Sequence, residues 1–484
     1  KGHLRPGQIL AVDTEKGALL RPADIDRMPA ARAPYKKWLK DNVLRLEAKL
    51  SDKPEHLERM KPEDIVVHQK MFTLTNEERV EVVRVLAEAG AEAVGSMGDD
   101  TPFAVLSQKA RPLYDYFRQQ FAQVTNPPID PLREQIVMSL ECCLGAEGSM
   151  FDQTPERASR LMVDSPVLSE EKFKKLLAIG KKDPKYACEV IDLNYEPGLG
   201  LRRALEKVCE KAVAAVKAGK VVLVLSDRKI EKGKLPIHAL LATGAVQNRL
   251  IREGLRCDCN ILVETATARD PHHFACLIGY GASVIYPYLA YASLYDMKRT
   301  GEIQHKEESE LSHAYRKGIN KGLYKIISKM GIATVSSYRG AELFEIVGLS
   351  DEIVELCFEG TVSRIKGARF EDLQAEQQAL ADRAWSARKA IAQGGLLKFV
   401  HGEEYHAYNP DIIGTLHQAV RSGEWSDYQQ FAALVNERPP SMLRDLLQLK
   451  LAEKPLPLDQ VEPIEAVLRR FDSAGMALGA LWPG

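Results

Sequence analysis

The chain has 484 residues, 45% of them hydrophobic and 27% charged, with a formal net charge of -1. Its length suggests about three domains at ~150 residues each, and its composition is that of an ordinary globular protein. Near-neutral charge gives no electrostatic drive toward nucleic acid or an anionic membrane, and no apolar run approaches the ~18–20 residues that span a bilayer.

No signal peptide is visible at the start. The chain opens without Met on "KGHLRPGQILAVD" and stops abruptly at "GALWPG", so the expectation is a piece of a longer polypeptide. Its eight cysteines, Cys142, Cys143, Cys188, Cys209, Cys257, Cys259, Cys276 and Cys357, include no C-x-x-C pair. They read as reduced thiols of a cytoplasmic protein.

In chain order, Gly7–Pro22 reads as two short strands around a Lys-Gly turn. Arg32–Leu50 reads as a charged helix, and residues 51–64 as a polar loop. Residues 75–90 read as a helix, with Thr75 and Glu78 at capping-box spacing and Gly90 at its end. In "GSMGDDTPFAVLS" (95–107), a glycine turn carrying Asp99 and Asp100 precedes a short apolar strand, "FAVL". Leu113, Phe117 and Phe121 recur every four residues and predict a helix, which the prolines of "TNPPIDP" stop. Leu132, Ile136, Leu140 and Leu144 predict another.

From residue 200 the rhythm changes. The runs "VVLVLSD" (221–227), "CNILVETA" (259–266), "ASVIYPY" (282–288) and "IATVSSYRG" (332–340) read as strands. The helices "LRRALEKVCEKAVAAVKAG", "IHALLATGAVQNRLIREG", "DPHHFACLIGYG" and "AELFEIVG" accompany them. Such alternation means a parallel α/β region, either a barrel or an open sheet. Residues 367–390 read as a charged helix. "GGLLKFVHGEEYHAYNP" then breaks the pattern before two amphipathic helices, a docking segment at "RPPSMLRDLLQLK", and a last helix entering a small-residue loop.

No candidate completes a catalytic set. Asp99 and Asp100 suggest a metal or acid–base pair, but adjacent aspartates on a turn commonly bond their own backbone. Cys257 and Cys259, if extended, share a sheet face but lack a second ligand pair. His272 and His273 open a helix without the H-x-x-x-H spacing. Asp227 and Glu264 stand at strand ends, where α/β folds place chemistry. Lys317, Lys321, Lys325 and Lys329, with Arg316, form one basic helical stripe, either solvated or facing a phosphate or acidic surface. Walker A, G-x-G-x-x-G and G-x-S-x-G motifs are absent.

The chain resembles the glutamate synthase large subunit, most of all its bacterial NADPH-dependent form. The resemblance rests on "GSMGDDTPFAVLS", "YDYFRQQFAQVTNPPIDPLRE", "ETATARDPHHFA", "GINKGLYKIISKMGIATVSSYRGAELFEIVGLS" and "NERPPSMLRDLL", in that order. It implies an α/β fold with a central domain of parallel β/α units related to a (β/α)8 barrel, flanked by truncated pieces of neighbouring domains. Residues 1–35 would be the tail of a glutamine amidotransferase domain, 36–385 the central domain, and 386–484 the opening of an FMN-binding synthase domain. The parent would make glutamate from glutamine and 2-oxoglutarate, passing ammonia through a tunnel to FMN. An iron–sulfur cluster, and FAD and NADPH through a small subunit, would supply electrons. In "RRFDSAGMALGAL", Ala477 replaces a serine of the family's flavin-site opening, and Trp482-Pro483-Gly484 follows. This segment would then be a connecting scaffold and ammonia conduit with no catalytic, cofactor-binding or metal residues of its own. Its partners would be the neighbouring domains and the small subunit, with no nucleic acid or membrane. The alternatives are a stand-alone interaction or regulatory protein, and a small-molecule-binding α/β protein using the strand ends near Asp227 and Glu264.

Overall fold

The computed structural model describes residues 3–46, 59–93, 95, 98–120, 129, 131–149 and 151–471. The chain divides into two compact units, Lys1–Ser441 and Met442–Gly484. The readings of Phe121, of most of "TNPPIDP" and of Ala477–Gly484 lie outside the described residues.

The first unit contains a four-stranded parallel sheet in the order Ala282–Tyr286, Asn260–Glu264, Val222–Ser226, Cys188–Asp192. The first three of these strands are buried at every position, as their uninterrupted apolar runs require of strands covered on both faces. The fourth, Cys188–Asp192, is an edge strand with Val190 53% exposed. Its short mixed sequence shows no apolar run, so it escaped the sequence reading. Helices Leu201–Lys217, Ala239–Arg252 and Pro271–Gly279 connect successive strands. This is the parallel β/α architecture expected from the alternation.

Further along, two elements exchange their expected types. "IATVSSYRG" contains the short helix Val335–Tyr338, and "AELFEIVG" holds the strand Phe344–Leu349. That strand pairs in parallel with Val362–Ala368 and antiparallel with Phe117–Gln119. Phe344 and Ile346 are buried while Glu345 and Val347 are half-buried, a period of two that marks a strand. Thr334, Ser336 and Ser337 bond one another's hydroxyls, competing with extended pairing there.

The predicted helix through Leu113 and Phe117 is a 3-10 turn, Leu113–Tyr116, followed by the strand Phe117–Gln119. Leu113, Tyr114, Tyr116 and Phe117 are all buried, so the segment lacks the solvent face of a surface helix. "FAVL" is likewise a 3-10 turn, Ala104–Leu106, not a strand. The helix expected through Leu144 stops at Val137, and Cys142–Leu144 is a strand. Leu140 and Leu144 enter the core, whereas Leu132 and Ile136 are 85% and 83% exposed.

Near the start, Tyr35–Asn42 is helical but Val43–Arg45 pairs as a strand with Arg160–Met162. The hairpin Ala11–Asp13 with Ala18–Leu20 forms as read. Pro62, taken as loop, starts helix Pro62–Met71, because proline's missing N–H costs nothing in a first helical turn. The charged helix Phe370–Ala384 and the amphipathic pair Pro410–Ser422 and Trp425–Asn436 form as expected. Among the described residues, no helix is long and apolar enough to cross a membrane. In the second unit, the docking segment is a 3-10 turn, Leu443–Leu446, with a short helix at Ile464–Leu468. Several of its apolar residues are exposed, among them Leu449 at 93% and Leu458 at 91%.

Candidate functional site

The carboxyl ends of the parallel strands gather the polar groups of the core. Asp227 follows the strand Val222–Ser226 and is 0% exposed. Its carboxylate accepts from the Thr265 hydroxyl and, at 3.0 Å, from the Ala266 N–H. The Thr265 hydroxyl also lies 2.9 Å from that of Thr267, and Thr267 lies 2.8 Å from the Tyr114 hydroxyl. A chain of hydroxyls thus runs from Asp227 to Tyr114. Burial pushes the Asp227 carboxyl up to about 7, against the lowering effect of its hydrogen bonds.

Arg269 closes the next layer. Its guanidinium, 1% exposed, donates Nε to Glu78 Oε1 at 2.6 Å and Nη1 to the carbonyls of Phe72 (3.0 Å) and Ala266 (3.2 Å). Its own carbonyl accepts from the Tyr315 hydroxyl at 2.8 Å. Thr75 caps the Glu78 N–H at 3.1 Å, but the Glu78 carboxylate turns to Arg269 instead of completing a capping box. The segment Glu78–Val83 is a π-helical turn leading into Arg84–Ala89. Burial raises the Glu78 pKa while the Arg269 charge opposes it. The 2.6 Å contact to an arginine held on three sides marks an ion pair.

The two histidines of the Pro271–Gly279 helix serve this packing. His273 stacks on Tyr114, ring centroids 4.3 Å apart, and its Nδ1 lies 3.3 Å from the Arg269 N–H. His272 Nε2 meets the Tyr114 carbonyl at 3.0 Å. His238 packs edge-on against the same tyrosine. Burial holds both His238 and His273 down at about 3, so both rings are neutral at neutral pH.

Glu264 stands at the same sheet edge, 7% exposed, accepting from Ser226 Oγ at 2.7 Å and meeting Arg228 Nη1 at 3.4 Å. Arg228 also lies over the Tyr288 ring. The structure therefore brings Asp227, Glu264 and His273 to one end of the sheet. Each is engaged there by other groups: Asp227 by Thr265 and Ala266, Glu264 by Ser226 and Arg228, and His273 by the Arg269 N–H.

The other candidates lie apart. Asp99 caps its own turn, accepting from the Thr101 N–H (3.0 Å) and hydroxyl (2.6 Å). Asp100 reaches across the chain to His406 Nδ1 (2.8 Å) and the Tyr408 N–H (3.0 Å). Two further stitches hold the same segment. Glu404 pairs with Arg111 at 3.2 Å, and Glu77 accepts from the Leu396 and Lys398 N–H groups at 2.7 and 2.9 Å. Cys257 and Cys259 do not share a face: residues 256–258 form a 3-10 turn that exposes Cys257 and buries Cys259, and burial lifts the Cys259 thiol to about 11. Lys317, Lys321, Lys325 and Lys329 are all exposed along the helix Glu308–Lys329.

Sequence reading missed Tyr114, His238, Thr265, Thr267 and Arg269. The available signal was "ETATARD", whose alternating Thr265, Thr267 and Arg269 leave the strand Asn260–Glu264 at its carboxyl end.

Beside Thr267, Arg269 and His238 lies a cavity of about 70 Å³, walled by Met71, Leu113, Leu241 and Leu373. It holds several water-sized groups but not a three-ring flavin, so the strand ends here do not fit FMN. Among the described residues, no group of three or more His, Cys, Asp or Glu is placed to hold a metal ion.

The fold and site define a parallel α/β domain whose strand ends are filled by an interlocked polar core. The family model for the glutamate synthase central domain matches residues 67–350, and that for a conserved region in glutamate synthase matches residues 406–483. The chain belongs to the glutamate synthase family and carries its central domain. It is 39% identical over 497 residues to ferredoxin-dependent glutamate synthase 1 of Arabidopsis thaliana, covering 99% of this chain and 30% of the relative. It is 37% identical over 483 residues to the glutamate synthase [NADPH] large chain of Bacillus subtilis, covering 99% and 31%. The chain thus spans about a third of the length of these relatives. Among solved structures, mandelate oxidase with (S)-2-phenylpropionate aligns at 10% identity and a TM-score of 0.28, covering 57% of this chain and 97% of that one. That likeness is too slight to carry function.

Proposed function

We propose that this chain is the connecting segment of a glutamate synthase large chain, acting as scaffold and ammonia conduit between two catalytic domains. Residues 1–35 are the tail of the glutamine amidotransferase domain, 36–385 the central domain and 386–484 the opening of the FMN-binding synthase domain. The whole enzyme makes glutamate from glutamine and 2-oxoglutarate in the cytoplasm. FMN and an iron–sulfur cluster lie elsewhere in the same polypeptide, and a small subunit with FAD and NADPH supplies electrons.

The observation that carries this reading is the match over 99% of the chain to about 30% of a glutamate synthase. The polar core agrees with it, because Asp227, Tyr114 and Arg269 occupy the strand ends where a flavin barrel keeps its active site. The stitches from Asp100, Arg111 and Glu77 to residues 396–408 support a scaffold role, since they tie the start of the proposed synthase segment to the central domain. Exposed Leu132, Ile136, Leu449 and Leu458 agree with surfaces that neighbouring domains cover.

The test is direct. The chain alone, given FMN, ammonium, 2-oxoglutarate and a chemical reductant, is expected to retain no flavin and to form no glutamate. The native polypeptide is expected to do both. Glutamate formed by the chain alone would overturn the scaffold reading.

A further inference from the structure

The π-helical turn Glu78–Val83 and the residue before it make contacts in two separate places. On one side lies the strap formed by residues 386–408. Glu77, at the N-terminal edge of the turn, accepts the Leu396 and Lys398 N–H groups at 2.7 and 2.9 Å. It donates its own N–H to the Gln393 carbonyl at 2.9 Å. One turn on, Glu81 pairs with the Lys398 ammonium at 2.7 Å. The strap lies so close that Gly394, at φ +109°, has no room for a side chain: a Cβ there would stand 2.6 Å from that of Glu77.

On the other side Glu78 grips Arg269 at 2.6 Å, and Arg269 in turn holds the Phe72 and Ala266 carbonyls. Arg79 adds a third hold, to Glu302 at 2.8 Å. Consecutive residues of a helix point about 100° apart around its axis, so Glu77, Glu78 and Arg79 reach three different neighbours. The register of the turn fixes those directions. A π-helical turn closes i→i+5 bonds and occurs mostly as a single turn inside an α-helix. Here it runs directly into the α-helix Arg84–Ala89. Relaxation to α-helical register would turn the residues ahead of it by about one position, ~100°. Glu77 would then leave the strap, and Glu78 would leave Arg269.

Both grips therefore depend on one register. We propose that Glu78–Val83 is a two-state joint that couples the strap to the polar core at the strand ends. The seated strap holds the π register, and the π register keeps Glu78 on Arg269. An unseated strap frees the turn to relax, and the Arg269 layer loosens with it. Such coupling is reciprocal, so loss of the Glu78 grip also releases the strap. The strand ends are firm only while the segment that leads out of the α/β region is in place. The joint does not depend on the chain's role as a conduit.

The test uses the native polypeptide and amide hydrogen–deuterium exchange, which reads local opening. Gly394→Val crowds Glu77 and leaves Arg269 untouched. It is expected to speed exchange about tenfold in residues 392–398 and also in residues 265–270, the scale of one charge-assisted hydrogen bond. Glu78→Gln, made at the other grip, is expected to speed exchange in the same two stretches. Tyr315→Phe removes only the hydroxyl that bonds the Arg269 carbonyl, and is expected to act on residues 265–270 alone. Exchange in the edge strand Cys188–Asp192 is expected to stay unchanged in all three, which separates coupling from general loosening. Faster exchange confined to the mutated side, in either Gly394→Val or Glu78→Gln, would overturn the proposal. So would a strap loosened by Tyr315→Phe, or an edge strand that loosens as much as the two coupled stretches.

Discussion

Replacing Arg269 with methionine is expected to destabilise the chain by about 3–5 kcal/mol, the cost of removing one partner from a buried ion pair. The guanidinium is 1% exposed and joins Glu78, Phe72 and Ala266, three separate points of the unit. Without it, the Glu78 carboxylate, whose side chain is 18% exposed, and two backbone carbonyls lose their donor. The double variant Arg269→Met with Glu78→Gln is expected to recover part of the loss, since no unpaired charge remains. Urea denaturation followed by circular dichroism reads both. A loss under 1 kcal/mol for Arg269→Met would show that Arg269 does not hold these three points together.

Asp227→Asn is expected to change how stability depends on pH. Burial raises the native pKa of this carboxyl from 3.8 to about 7, so the native state keeps a proton that the unfolded state gives up. Stability from this group is complete below about pH 4 and is lost as pH rises through 7. At about 1.4 kcal/mol per unit, the full span is ~4 kcal/mol. The asparagine variant lacks that slope, so it gains on the native protein between pH 4 and 8. Glu78 and Glu342, whose carboxyls burial also raises, titrate in both proteins and cancel in the difference. Parallel stability curves across this range would contradict the assignment.

The parallel core could be read from sequence because its physics is local. Val222–Ser226, Asn260–Glu264 and Ala282–Tyr286 are buried on both faces and read as apolar runs between helices. Reading failed where tertiary contacts override periodicity. Phe117 shares a four-residue spacing with Leu113, yet it forms a strand because Phe344–Leu349 offers it an edge. Leu132 and Ile136 continue an apolar stripe that faces outward here.

The site was half visible for a related reason. Asp227 and Glu264 could be placed at strand ends by sequence alone. Their partners arrive from distant segments: Glu78 lies 191 residues from Arg269, and Tyr114 lies 153 from Thr267. Asp100 shows the same limit. Its turn was evident, but its reach of 306 residues to His406 was not. That contact changes its role from a local cap to a stitch between segments.

The proposal that this chain connects two active sites and carries ammonia between them is tested most directly by isotope retention. The native polypeptide would be supplied with glutamine labelled with 15N at the amide, 2-oxoglutarate, reductant and a large excess of unlabelled ammonium. The conduit predicts that new glutamate keeps the 15N label despite the excess. Glutamate carrying the isotopic composition of the bulk ammonium would contradict it.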